Sequence, residues 1–294
     1  MALEPIVPQP GNDRNPAHFV GRAETTTQAR RRLGAGANLL LTDPRRMGKT
    51  FWMRAFAARE SGFHCYSINY EGVFTVNDFL IGTAKQLIKD GKLSQKARAK
   101  LRTIFNNCDI ELSGPITIKS YHRQTSPHVL LTDVLGALDE DAGGVIPLVM
   151  MDEVPMAVGN IADREGASAA AEILQTLRAL RQRTANVRWI ITGSIGFHHV
   201  LRQANTTPGV LGDLEPLPLG PLPDDEAEEL ARRLILGVEQ PPTDAVVEEL
   251  VKVSGGIPFI LHPVVGTLAR QYRNVFRPND VRECFEEFID DTEL

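Results

Sequence analysis

The residues best equipped for chemistry lie between Leu39 and Thr50, in LLLTDPRRMGKT. An apolar run enters a basic turn that closes on Gly48, Lys49 and Thr50. Residues of these types at this spacing make a cradle for a nucleotide's phosphates. Successive backbone N–H groups turn inward, the Lys49 ammonium reaches the β- and γ-phosphates, and the Thr50 hydroxyl is a Mg²⁺ ligand at a helix N-terminus. Pro44, Arg45, Arg46, Met47 and Gly48 line the turn, and Phe51 follows into the helix. The pattern G-x-x-x-x-G-K-[ST] is incomplete, because Asp43 stands at the first glycine. A desolvated carboxylate near a triphosphate would repel it by about 1 kcal/mol or more, so Asp43 is expected to point outward. Arg45 and Arg46 either screen phosphate charge or contact a neighbouring subunit. Taken by itself, RMGKT also suits a plain basic turn before an amphipathic helix.

A metal-assisted phosphate site needs a second acidic group at the tip of another buried strand. Ile146 to Glu153 (IPLVMMDE) has that form: an apolar run, read as a strand covered on both faces, ending in two carboxylates. Asp152 would bind Mg²⁺ directly or through water, and Glu153 would orient and deprotonate the attacking water. On one strand the two side chains would leave on opposite sides of its axis.

Composition bounds the rest. The chain has 294 residues, 43% of them hydrophobic, enough for a sizeable core. Its net charge of −5 makes no global electrostatic case for nucleic acid or an anionic membrane. Cys65, Cys108 and Cys284 are far apart, with no C-x-x-C spacing, so neither a disulfide frame nor a zinc site is indicated and a reducing cytoplasm fits best. No apolar run approaches the roughly 18 residues of a membrane span. The opening residues lack the basic and apolar regions of a secretion signal.

Around the two motifs the chain alternates strand and helix. Residues 1–17 read as an extended, poorly ordered lead, and a polar helix runs from Glu24 to Arg32. Leu39–Thr42 is a strand, Thr50–Arg59 a helix, Phe63–Asn69 a strand and Thr75–Lys89 an amphipathic helix. Ser94–Phe105 is a basic helix, and Asp109–Lys119 alternates about Gly-Pro like a hairpin. Pro127–Asp139 is a helix that Gly143-Gly144 separates from the acidic strand. One long helix, Ala167–Arg183, separates that strand from the next, Val187–Thr192. Leu214–Leu222 is the last strand and a linker, where prolines end ladder pairing. Four helices follow: Asp224–Leu236, Thr243–Val253, Ile257–Gln271 and Pro278–Ile289. The order implies an α/β fold, a three-layer parallel sheet with its site at the carboxyl ends of the strands. The division is a lead of residues 1–17, a nucleotide-binding α/β domain of residues 18–222 and a helical lid of residues 223–294.

Phe19-Val20-Gly21-Arg22 with Glu24, some twenty residues before P-R-R-x-G-K-T, resembles the archaeal-type ATPases of the STAND class, P-loop proteins related to AAA+. The resemblance implies that this box lies over adenine and ribose, so Phe19, Val20 and Gly21 would form the base pocket and Arg22 would share it. It puts the Phe63–Asn69 strand beside the loop strand and makes Thr192 or Ser194 the polar tip that senses the γ-phosphate. Pro258, in Gly256-Ile257-Pro258, would pack against the base. Arg202 is either a finger reaching a neighbouring subunit or a surface arginine. The implied activity is ATP hydrolysis with Mg²⁺ in a nucleotide-driven switch that forms a homo-oligomer or engages a protein partner. Family members continue into an effector region that this chain does not show. The alternative is a DNA-associated ATPase of the initiator or transposition-regulator kind.

Overall fold

The computed structural model describes residues 3–11, 13–89, 95, 99–100, 126–141, 144–193, 196–272 and 274–291. The hairpin expected at Asp109–Lys119, most of the basic helix at Ser94–Phe105, Gly143 and Ser194 lie outside them. The chain forms two compact units. One comprises Met1–Thr26, Asp43–Ala55 and Leu219–Leu294, the other Thr27–Thr42 and Phe56–Pro218.

The second unit is built on a parallel sheet of β1 (Asn38–Leu41), β2 (Phe63–Asn69), β3 (Ile146–Asp152), β4 (Arg188–Thr192) and β5 (Leu214–Pro216). Their order is β2-β3-β4-β1-β5. Consecutive residues of a strand face opposite sides, and β3 is buried from Pro147 through Asp152, so both its faces are covered. One set, Val149 and Met151 with Trp189 and Ile191 of β4, joins a core with α3 (Val76–Lys89), α4 (Pro127–Glu140), α5 (Val154–Glu165), α6 (Ala167–Arg183) and α7 (Phe197–Gln203). The alternate set, Leu148, Met150 and Ile190, is equally buried outside that core. On the opposite face the end of α1 (Ala23–Gly34) meets β4, where Arg188 donates to the Leu33 carbonyl. The end of α2 (Lys49–Arg59) meets β2, with Phe56 and Phe63 ring centroids 5.6 Å apart.

Two sequence expectations fail here. The strand β2 does not lie beside the loop strand β1; it pairs with β3, and β1 runs between β4 and β5. Burial periodicity marks a strand but carries no lateral order, which the crossover connections decide. The segment between β3 and β4 holds two helices, α5 and α6, instead of one. Pro155 sits in the first turn of α5, where a missing N–H costs nothing, and Val154, Ala157, Val158 and Ile161 make its buried stripe.

In the first unit, α8 (Asp224–Gly237), α9 (Asp244–Ser254), α10 (Pro258–Gln271) and α11 (Pro278–Asp291) close around Leu234, Ile235, Leu250, Val264, Leu268 and Val281. A bidentate pair from Arg282 to Glu249, at 2.7 and 2.8 Å, fastens α11 to α9. The amino-terminal segment belongs to this core, contrary to the loose lead expected. Ile6 is fully buried in it, its N–H donates to the Arg233 carbonyl at 2.9 Å, and Arg233 Nε donates back to the Glu4 carbonyl at 2.8 Å. The segment lies so close to α8 that a Cβ on Gly237 would stand 2.0 Å from the Ile6 carbonyl oxygen. Burial of one apolar side chain, worth about 1.5–3 kcal/mol, anchors a stretch whose proline-rich composition gives no such sign.

Candidate functional site

The turn after β1 has left-handed backbone at Arg46 (φ 74°) and Gly48 (φ 83°), while Asp43 needs none. A Cβ at Gly48 would meet open space, so it is the dihedral alone that calls for glycine. Alternation of this kind is the backbone form in which neighbouring N–H groups can face one anion, and it leads here into α2, whose first residues are Lys49 and Thr50. Lys49 is buried, and its ammonium donates to the carbonyls of Pro44 (2.7 Å) and Asp43. Phe51, one residue into the first turn beyond Thr50, meets Phe19 edge-to-face with centroids 5.4 Å apart. Trp52 Nε1 donates to Thr26 Oγ1 at 3.0 Å, so α2 and the start of α1 share a fixed register.

Asp43 is held by its own chain. Its carboxylate accepts the N–H groups of Gly220 (2.9 Å) and Leu219 (3.1 Å), which protein groups satisfy in place of solvent. Arg22, expected at the base, has its guanidinium committed elsewhere: it donates to the carbonyls of Leu219, Gly220 (2.7 Å) and Met47 (3.1 Å). Burial pulls this guanidinium below its ordinary range, while the charges of Glu226 and Asp43 oppose the shift. The Arg22 N–H is held by Glu226 Oε1 at 2.7 Å, and the same carboxylate closes over Gly21, where a Cβ would fall 2.4 Å from Oε2. Val20 is buried with the helices of this unit. Pro258 opens α10, and the next residue, Phe259, carries the Arg46 guanidinium over its ring.

The strand tips form a second cluster, in the other unit. One residue beyond the paired Met151 and Ile191 stand Asp152 on β3 and Thr192 on β4, both buried, and Thr192 is also level with Leu41 of β1. Thr192 Oγ1 is buried with no hydrogen-bond partner among the described residues. The strand ends at Asp152, so the expected alternation with Glu153 does not apply. Glu153 takes a left-handed conformation (φ 58°, ψ 32°) at the start of α5, and its N–H donates to Asp152 Oδ1 at 3.1 Å. Such a backbone costs a non-glycine residue about 1 kcal/mol, a strain typical of functional turns. Gly193 lies flush on Pro155, 2.3 Å from a would-be Cβ, which locks the tip of β4 to the turn that holds Glu153.

The fold is that of the P-loop ATPases. The structure resembles a Walker-type ATPase of Pyrococcus abyssi (18% identity, TM-score 0.63, covering 92% of this chain and 72% of that one). It also resembles the Holliday-junction branch-migration motor RuvB of Thermotoga maritima (12% identity, TM-score 0.50, 95% and 73%). A third likeness is to the ORC1 protein of Aeropyrum pernix in complex with DNA (15% identity, TM-score 0.52, 92% and 66%). No protein-family model matches the sequence. Among curated proteins none is similar to it.

Within this P-loop fold, Arg202 is exposed on α7, a position open to either reading of it. Among the described residues no helix is long and apolar enough to cross a membrane. Sequence reasoning missed Glu226, Phe259 and the Leu219–Gly220 dipeptide. None belongs to a short motif, and each meets the 19–22 box or the phosphate loop only after chain reversals of about 180 residues or more.

Proposed function

We propose that this chain binds ATP with Mg²⁺, hydrolyses it slowly, and acts as a molecular switch of the STAND type whose nucleotide state controls assembly or engagement of a partner. The observation that carries the reading is the turn itself: left-handed Gly48 followed by Lys49 and Thr50 at the first turn of α2. Lys49 would exchange its loop carbonyls for β- and γ-phosphate oxygens, and the N–H groups of Met47 through Thr50 would share their charge. Oxygen donors of the kind Mg²⁺ takes are present, and we assign the Thr50 hydroxyl and the Asp152 carboxylate to it. Bound there, the ion would draw charge from the phosphates as the terminal bond breaks.

Glu153 is the proposed base, and its strained backbone supports the assignment. Thr192 Oγ1, buried and unpartnered among the described residues, is the proposed γ-phosphate sensor; Ser194 remains the neighbouring candidate. Phe19, Val20, Gly21 and Pro258 are proposed to enclose the base. Arg22 and Arg46 serve that pocket by bracing it.

A second reading, an ATPase associated with DNA, is favoured by the likeness to ORC1, solved in complex with DNA. Phosphate release and particle mass, measured with and without ATP–Mg²⁺, test the first reading; a chain that neither binds nor turns over ATP removes it. Retention on DNA that falls steeply with salt would select the second.

A further inference from the structure

Asp43 occupies the place of a loop glycine, yet its carboxylate is tied into the molecule by hydrogen bonds. Its Oδ1 accepts from both Gly220 (2.9 Å) and Leu219 (3.1 Å), and Oδ2 shares the Leu219 N–H at 3.1 Å. Two successive N–H groups converge on one carboxylate because Gly220 is left-handed (φ 62°), the geometry of an anion-binding concavity. The two carbonyls of the same dipeptide are taken by Arg22, which also holds the Met47 carbonyl. All four main-chain polar groups of Leu219 and Gly220 are thus engaged. Both ends of the phosphate turn, residue 43 and residue 47, are fastened to one dipeptide.

We infer that Asp43 is a positioning residue of the phosphate loop, its carboxylate and the Arg22 guanidinium forming a clamp on Leu219–Gly220 that holds the turn in its phosphate-receiving shape without a first glycine. The inference rests on the phosphate-loop reading proposed above. Loops with glycine at this position rely on backbone freedom to wrap the phosphates. Here the left-handed residues are Arg46 and Gly48, and the entry is set by side-chain bonds. The arrangement also disposes of the carboxylate's charge: two N–H dipoles and the nearby Arg22 cation compensate it, so it does not oppose a triphosphate.

Three variants test the clamp: Asp43→Ala removes the acceptors, Asp43→Ser keeps a polar group too short to reach, and Asp43→Asn keeps one oxygen able to take both N–H groups. Hydrogen exchange at Leu219 and Gly220 without nucleotide, and titration with a fluorescent ATP analogue beside Lys49→Ala, are the measurements. The alanine and serine chains should exchange both amides faster and bind the analogue about tenfold more weakly, equal to about 1.4 kcal/mol. The asparagine chain should recover binding to within about threefold. If the alanine and serine chains bind as the parent does while Lys49→Ala does not bind, Asp43 positions nothing and the phosphate loop stands. A parent chain that binds no nucleotide overturns the phosphate-loop reading, and this inference with it. Should the alanine chain not fold, the contrast between serine and asparagine decides.

Discussion

The Arg46 guanidinium lies over the ring of Phe259, 4.6 Å from its centroid. One residue belongs to the turn after β1, the other to the first turn of α10 beside Pro258. To the roles open to Arg46 from its place in PRRMGKT, charge screening or contact with another subunit, the structure adds a contact with an aromatic face of the same chain. A substitution pair should expose the link: Arg46→Ala and Phe259→Leu should couple by about 0.5–1 kcal/mol in a double-mutant cycle of unfolding free energy. Strict additivity would mean that the stacking contributes nothing.

Lys49→Ala should abolish most nucleotide affinity and leave the fold intact. The ammonium donates to the carbonyls of Asp43 and Pro44, which water can satisfy once it is gone. A fluorescent ATP analogue titrated against both chains reads this directly. Parent-like binding would show that the turn after β1 does not hold phosphates.

The strand-tip carboxylates should separate binding from chemistry. Asp152→Asn should weaken Mg²⁺-dependent binding about tenfold or more. Glu153→Gln should bind ATP as the parent does yet turn it over at least a hundredfold more slowly, accumulating in the ATP-bound state. Single-turnover assays beside a binding titration distinguish the two. Hydrolysis at the parent rate in Glu153→Gln would place the base elsewhere.

The amino-terminal segment should behave as part of the helical core. Ile6→Ala is expected to destabilise the protein by about 2–4 kcal/mol. Gly237→Ala should do the same, because its methyl group would meet the Ile6 carbonyl, backbone that cannot step aside cheaply. The two should combine less than additively, since each releases the same segment. Denaturant titrations of the four chains test this, and near-neutral single changes would return residues 3–11 to the status of a loose lead.

The same segment should be sensitive to acid. His262 Nδ1 accepts the Gln9 N–H at 3.2 Å, which requires the neutral ring. Burial pushes this imidazole down to about 4, with the His18 charge adding to the effect and Asp13 opposing it. The folded pKa lies below the unfolded value near 6.5, so the unfolded chain binds more protons between them and stability falls as pH drops through that window. Unfolding measured from pH 7 to pH 4 should show a shallower acid loss in His262→Gln than in the parent. Identical slopes would remove His262 from the linkage.

Much of this was legible in the chain before any fold was known. A run such as IPLVMMD is buried wherever it lies, and its length and apolar character mark a strand. The elements at Phe63–Asn69 and Ala167–Arg183 have the bounds their patterns indicate, because hydrophobic periodicity and caps act within a few residues. The Gly48-Lys49-Thr50 turn into a helix is legible for the same reason: it is set by adjacent residues.

What only the tertiary structure decided are relations between residues far apart in sequence. The order β2-β3-β4-β1-β5 could not be read because a strand's burial pattern carries no lateral order, and connection geometry chooses its neighbours. The place of Ile6 could not be read because one isoleucine among prolines has no period, and Gly237, which admits it, lies some 230 residues on. Asp43 is the sharpest case. By sequence it is a defect in a glycine motif; in the fold it is the partner of two N–H groups that a left-handed Gly220 turns toward it, and that convergence exists only once the chain has closed on itself.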